Sequence, residues 1–326
     1  MLFRSRNTGT VVWDDPKRTQ PYFHQMSVGY QREVLPGFSV SADYVRMLGR
    51  DMFLNPDLNI GSRVDTSRTG RINFTDPFGV LSRSRAPGEE PYVSVVRLIT
   101  TKYGYSDYDA LNLSVEKRYG NVWSLRGAYS LAYSRGVTST QTSTPQLQVG
   151  TNLNLDAFKG PSDVDRRHTL AISGRMEIPK SRGVTLSGML RMLSGTPYTM
   201  FDSSIDADQN GVLFDPLPAG TYSGTAAGSM QNVKYRGGRN GARGPGFMQL
   251  DMRLGYRLRL RQRRTLDVFG EAFNVTNHAN FVNPTATVSG NIGADRRNAA
   301  DFLRLTALVA TSGLPRQAQL GVRLGF

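Results

Sequence analysis

From Met248 to Leu260 the chain alternates without a break: Met248, Leu250, Met252, Leu254, Tyr256, Leu258 and Leu260 are interleaved with Gln249, Asp251, Arg253, Gly255, Arg257 and Arg259. Successive side chains on a β-strand point to opposite faces, so this stretch has one fully apolar side and one polar side, whereas a helix would scatter the same residues around its axis. The final residues repeat the pattern, with Ala318, Leu320, Val322, Leu324 and Phe326 set against Gln319, Gly321, Arg323 and Gly325. A soluble sandwich strand and the lipid-facing strand of an outer-membrane barrel both satisfy that alternation, and the aromatic final residue suits the barrel.

The same period recurs along the chain. Tyr22 to Glu33 sets Met26, Val28 and Tyr30 against Gln25, Ser27, Gly29 and Gln31, turns at Leu35-Pro36-Gly37, and returns from Phe38 to Gly49. Leu111, Leu113 and Val115 lead through Tyr119-Gly120-Asn121 to Trp123, Leu125, Tyr129, Leu131 and Tyr133. Leu170, Ile172, Met176 and Ile178 lead through Pro179 to Gly183 to Val184, Leu186, Leu190 and Met192. Met248 to Leu260 turns at Arg261 to Arg264 into Thr265 to Val275, where Asp267 and Glu271 share a face with Phe269 and Phe273. With the terminal strand, this makes nine. The segments between hairpins, near 50–105, 135–165, 196–246 and 276–316, are expected to be long loops, the first holding at most one short strand near Val93 to Thr101.

Short and long connections alternate strictly, and parity puts all four short turns on one rim. Transmembrane barrels have this plan, with the short turns periplasmic and the long loops extracellular; soluble domains rarely hold connections so long. The expected fold is therefore all-β: an antiparallel transmembrane β-barrel portion of about nine to ten strands. No run of about 18 apolar residues offers a transmembrane helix, and a mean hydropathy of −0.37 is compatible with strands that expose one apolar face.

Forty basic residues against 26 acidic give a net charge of +14, and only six of the basic residues are lysine. Such a balance suits nucleic acid or an anionic surface such as lipopolysaccharide, but residues spread along the chain instead of clustered fit the lining of a wet lumen and loop surfaces better. The absence of cysteine excludes a disulfide scaffold and a thiolate metal site.

Several stretches carry a resemblance: His24 to Glu33; Tyr108-Asp109-Ala110-Leu111-Asn112-Leu113 with Glu116-Lys117-Arg118-Tyr119; Ser162-Asp163-Val164-Asp165-Arg166-Arg167-His168; Glu271-Ala272-Phe273-Asn274-Val275-Thr276-Asn277-His278-Ala279-Asn280-Phe281; and Pro315 to Phe326. In order and spacing the chain resembles the C-terminal barrel portion of TonB-dependent outer-membrane receptors of the Oar-like kind. The resemblance implies outer-membrane transport of a large solute or peptide, and not an enzyme. It implies membrane lipid, lipopolysaccharide and the barrel assembly machinery as partners, and TonB only through a plug. Such receptors have about twenty-two strands, so residues 1–326 are expected to be a partial barrel, with plug and further strands encoded upstream of Met1. The alternative is a passive or structural barrel without energy coupling.

Asp206, Asp208, Asn210 and Asp215 around Gly211 are a weak candidate for an extracellular calcium loop, lacking the glutamate of an EF-hand; no other cofactor is expected. Arg175, Arg191, Asp251, Arg253, Arg257, Asp267, Glu271 and Arg323, with Asp43, Glu116, Arg126 and Glu177, are expected to face the lumen, because charges in hydrocarbon are costly. Leu320, Val322, Leu324 and Phe326 form the candidate membrane-assembly strand. Trp123, Tyr129, Tyr133, Tyr256 and Phe326 are expected in interfacial girdles. Arg236 to Gly244 lacks the Lys-Ser/Thr ending of a phosphate loop and reads as a flexible surface segment. Asp165 with His168 is the one pairing that keeps a barrel-embedded hydrolase in view.

Overall fold

Where alternation meets a tight turn, the backbone's cheapest way to satisfy its hydrogen-bonding groups is a hairpin, and the chain makes four of them in succession. The computed structural model describes residues 11–14, 16–54, 61–63, 72–74, 95–100, 104–120, 122–137, 159–202, 215–260, 264–288, 301–310 and 313–325. Nine long strands build one sheet: β1 (Tyr22–Leu35), β2 (Phe38–Arg50), β3 (Tyr105–Lys117), β4 (Trp123–Gly136), β5 (His168–Glu177), β6 (Val184–Leu193), β7 (Phe247–Arg259), β8 (Thr265–Phe273) and β9 (Gln317–Gly325). Each pairs antiparallel with its neighbour in sequence, an up-and-down meander to which, among the described residues, the short Gly160–Pro161 strand is added beside β4. The expected nine strands are all present. Among the described residues no helix is long and apolar enough to cross a membrane.

The register shows how the strands lean. A row of partners starting at Phe38 passes through Lys117, Leu125, Gly174, Gly188, Met252 and Ala272 and reaches Ala318. Phe38 is at the short-turn end of β2, but Ala318 is at the long-loop end of β9. Seven pairings at ~4.8 Å span about 34 Å, and Ala318 to Gly325 is about 23 Å along the strand, so the strands lean by roughly 35°. Transmembrane barrels have tilts in the range of about 35–45°.

Among the described residues of the nine strands, only Ala110, Ala132 and Phe247 are buried hydrophobic side chains, so the sheet has no large apolar core of its own. One face carries Met26, Val28, Tyr30, Leu254, Leu320, Val322 and Leu324 in the open, with Leu320 90% exposed. A soluble protein does not leave a continuous apolar surface of this kind in water. At the short-turn rim, Gly37 (φ 72°) and Gly183 (φ 123°) take conformations that a side chain would strain.

The long connections differ from expectation. Residues 50–105 hold short strands at Phe53–Leu54, Gly61–Arg63 and Ile72–Phe74 as well as Val95–Thr100, where at most one was anticipated. The segment after β6 folds onto the one after β8: Tyr198, Met200, Leu217, Val233, Tyr235, Ala242, Phe302 and Leu303 form a buried cluster. Periodicity could not show this, because these apolar residues are scattered among Gly and Pro and meet partners far away in sequence.

Candidate functional site

The polar side of the alternation becomes a continuous inner wall, its residues paired by register. Arg257 faces Asp267 and donates to both carboxylate oxygens, at 2.6 and 3.0 Å; Asp267 in turn stands opposite Arg323. Arg253 faces Glu271 at 3.0 Å, and Gln319 donates to the other oxygen of the same carboxylate. The Arg253 guanidinium lies 3.6 Å from the centroid of the Phe269 ring, and that ring covers Gly321, whose missing side chain leaves it room. Phe269 on a polar face, an irregularity in the sequence, thus has a place: it roofs a glycine and stacks on an arginine.

The rest of the wall follows the same rule. Arg126 meets Glu116 at 3.3 Å, Arg175 lies over the Tyr119 ring, and Tyr119 donates to Glu177. Arg191 lies over Phe247, and Asp251 accepts from Gln249 and from the Asn274 backbone. These pairs are wet; each adds at most about 1 kcal/mol, and as a row they fix register and present alternating charge to whatever occupies the interior. Near the short turns, Arg175, Arg182, Arg257 and Arg259 with Glu177 border a cleft of about 300 Å³, a basic patch on the inner wall.

At the opposite rim a second cluster ties the loops to the strand ends. Asp165, fully buried, accepts from the Ser134 amide at 2.8 Å and from Arg243, whose other guanidinium nitrogen donates to the Asp165 carbonyl at 2.8 Å and the Gly195 carbonyl at 3.2 Å. Arg167 reaches the same carboxylate at 3.5 Å and stacks on Tyr133. Asn240 donates to the Pro161 carbonyl and the Asp163 carboxylate, and Arg239 donates to the Gly136 carbonyl. Burial pulls the Arg239 pKa down, an effect opposed by Asp163. Burial also pushes the phenols of Tyr198 and Tyr235 well above their ordinary value.

Asparagines close the other side. Asn274, in the left-handed region at φ 49°, donates to the His278 and Leu314 carbonyls; Asn280 brackets both backbone groups of Met248; Asn277 accepts from the Arg316 amide. The two stretches Ser162 to His168 and Glu271 to Phe281 therefore each clamp a loop to strand ends on the long-loop rim. Sequence reasoning singled out both stretches and assigned neither this job. Asn at a strand end, tolerant of the left-handed region, was the available signal.

Two expectations are corrected here. Arg236 to Gly244 is not a flexible surface segment: Arg239 and Asn240 are buried and Ala242 belongs to the loop core, because Asp163, Asp165 and backbone carbonyls satisfy its polar groups. Asp165 and His168 are not directed at one another either. The aspartate is held by Arg243 and Ser134, while His168 Nδ1 meets the Tyr129 hydroxyl at 2.8 Å.

All eight lumen candidates, Arg175, Arg191, Asp251, Arg253, Arg257, Asp267, Glu271 and Arg323, fall on one face. Leu320, Val322 and Leu324 lie together on the other, as do Trp123, Tyr129, Tyr133 and Tyr256; Tyr129 stands farther down the apolar band than a girdle residue. Phe326, Asp206, Asp208 and Asn210 lie outside the described residues, and of Asp215 only the backbone is described, paired with Asp202. Among the described residues no group of three or more His, Asp or Glu could hold a metal ion.

Comparison with solved structures finds a likeness to the outer membrane transporter YddB from Escherichia coli: TM-score 0.52 at 10% identity, covering 97% of this chain and 34% of that one. The siderophore receptor PirA from Acinetobacter baumannii matches with TM-score 0.42 at 9% identity, over 93% of this chain and 31% of that one. The chain thus spans about a third of the length of each. No curated protein matches. The family model described as outer membrane beta barrel domain matches residues 4–319. Tilted antiparallel strands, an open apolar outer face, a charged inner face and this match lead to one conclusion: the chain belongs to the outer membrane beta barrel domain family and resides in the bacterial outer membrane.

Proposed function

We propose that the chain is part of the wall of a TonB-dependent, Oar-like transporter that moves a large solute or peptide across the outer membrane. The observation that carries this reading is the inner wall: a charged face with solvated Arg–carboxylate pairs between β3 and β4 (Arg126–Glu116) and between β7 and β8 (Arg253–Glu271 and Arg257–Asp267). Such a surface faces water or another protein segment, and a filled apolar interior would have no use for it. The clamped long loops would stand outside the cell as the capture surface. A plug and further strands would complete the barrel, TonB would act on that plug, and the strand carrying Leu320, Val322 and Leu324 would be read by the assembly machinery.

Uptake of a fluorescent peptide library by cells producing the full-length protein tests this. Uptake that stops when the proton-motive force is collapsed supports energy coupling. Uptake that continues unchanged makes the barrel a passive pore and overturns the proposal.

A further inference from the structure

Charges were expected only on the inner face, yet register places a group of them on the outer one. On β2, Tyr44, Arg46 and Arg50 share the face of Phe38 and Val40; on β3, Asp107 and Asp109 share the face of Leu111 and Leu113; on β4, Arg135 shares the face of Leu131 and Tyr133. Contacts agree with this placement. Arg46 meets Asp109 in register at 3.7 Å, Tyr44 donates to Asp109 at 2.6 Å, and Arg50 donates to Asp107 at 2.5 Å. Arg135 stands exposed opposite Asp107.

Their height explains why such charges are tolerated. With a lean of about 35°, Arg46 stands about 22 Å above the short-turn end of β2 and Arg50 about 33 Å above it, against an apolar band of about 25 Å. At the foot of the same band, Lys117 lies over the Trp123 ring on the outer face, as an interfacial pair would. The cluster therefore begins where hydrocarbon ends and lipid headgroups start, on the rim of the long loops.

We propose that this outward patch binds the phosphorylated glycolipid headgroup of the outer leaflet, the lipid A part of lipopolysaccharide. Three arginines against two aspartates leave a net positive charge. The arginines match phosphates, and the aspartates with the Tyr44 and Tyr133 hydroxyls match sugar hydroxyls and amides. Arg46 is 45% exposed and its 3.7 Å contact is loose, so internal pairing leaves its donors open to a phosphate. The inference rests on the long-loop rim facing outward, as in the proposed function, and is independent of what is transported.

The test uses the full-length protein in mixed micelles, with bound lipid counted by native mass spectrometry. Three probes are offered separately: lipid A, phosphatidylethanolamine and inorganic phosphate. Basic contacts at a membrane surface change affinity about fivefold each, so the R46Q/R50Q/R135Q variant is expected to lose about a hundredfold in lipid A binding. R135Q alone, at an exposed strand end and harmless to folding, is expected to lose about fivefold. Phosphatidylethanolamine and phosphate binding should be weak and unchanged. Lipid A bound equally by wild type and R135Q overturns the proposal. Preference for phosphatidylethanolamine overturns it too, by placing this rim in the inner leaflet, while peptide uptake is read separately.

Discussion

Removing Arg243 should loosen the rim clamp more than any other single change there. The Asp165 side chain is 1% exposed, and its strongest counter-charge is Arg243. Breaking a buried ion pair from the cation side strands a carboxylate and costs about 3–5 kcal/mol in a sealed site. Two features reduce that figure. Arg243 is itself 33% exposed, and Arg167 stands 3.5 Å from the same carboxylate and can move in. About 3 kcal/mol is the expected cost of Arg243→Ala, against 1–2 kcal/mol, roughly, for Arg243→Lys, which keeps the charge but loses the forked contacts to two carbonyls. Native-state hydrogen exchange reads this directly, because the Ser134 amide donates to Asp165 and the Ser162 amide to the Ser134 carbonyl. A loss of about 3 kcal/mol speeds local opening by about a hundredfold, with the β7–β9 amides unaffected. Exchange at Ser134 and Ser162 within threefold of wild type would refute the reasoning and mean that Asp165 needs no counter-charge.

Leu320→Arg places a charge at a side chain 90% exposed; at a water-facing site the cost is within about 0.5 kcal/mol, and facing hydrocarbon it is about 2–4 kcal/mol, so folding titrations in lipid vesicles separate the two. Gly321→Val drives a branched side chain into the Phe269 ring and should cost about 1–3 kcal/mol and release the Arg253 stack, seen as a lower unfolding midpoint; an unchanged midpoint refutes the packing described. Tyr198 and Tyr235 have folded pKa values raised above the ordinary 10.0, so unfolded loops deprotonate first. Loop stability is fully present below pH 10.0 and falls as pH rises from there toward the raised values. Proteolysis of the loops should quicken as pH rises from about 10 to about 12, and Tyr198→Phe should weaken that dependence; equal rates across the window refute it.

Strand number, the choice of faces and the two unequal rims were legible in the sequence because each depends on local geometry. A period of two fixes which side Leu250 and Arg253 occupy, and a short turn such as Pro179 to Gly183 forces neighbours to pair. The charged outer patch was not legible. Arg46, Asp109 and Arg135 lie at the long-loop ends of their strands, next to the apolar run on the same face, and their height depends on the lean of the sheet. The clamp was hidden for a different reason: Asp165 and Arg243 lie 78 positions apart, in segments without periodicity.

By itself, then, the sequence determined a meander of strands with an apolar side and a charged side, since side-chain alternation and turn chemistry act over a few residues. Only the tertiary structure decided the lean of those strands, the loop core around Met200 and Phe302, and the burial of Asp165 against Arg243. Those depend on which distant segments meet, and that choice is made by packing and by the cost of leaving a buried polar group without a partner.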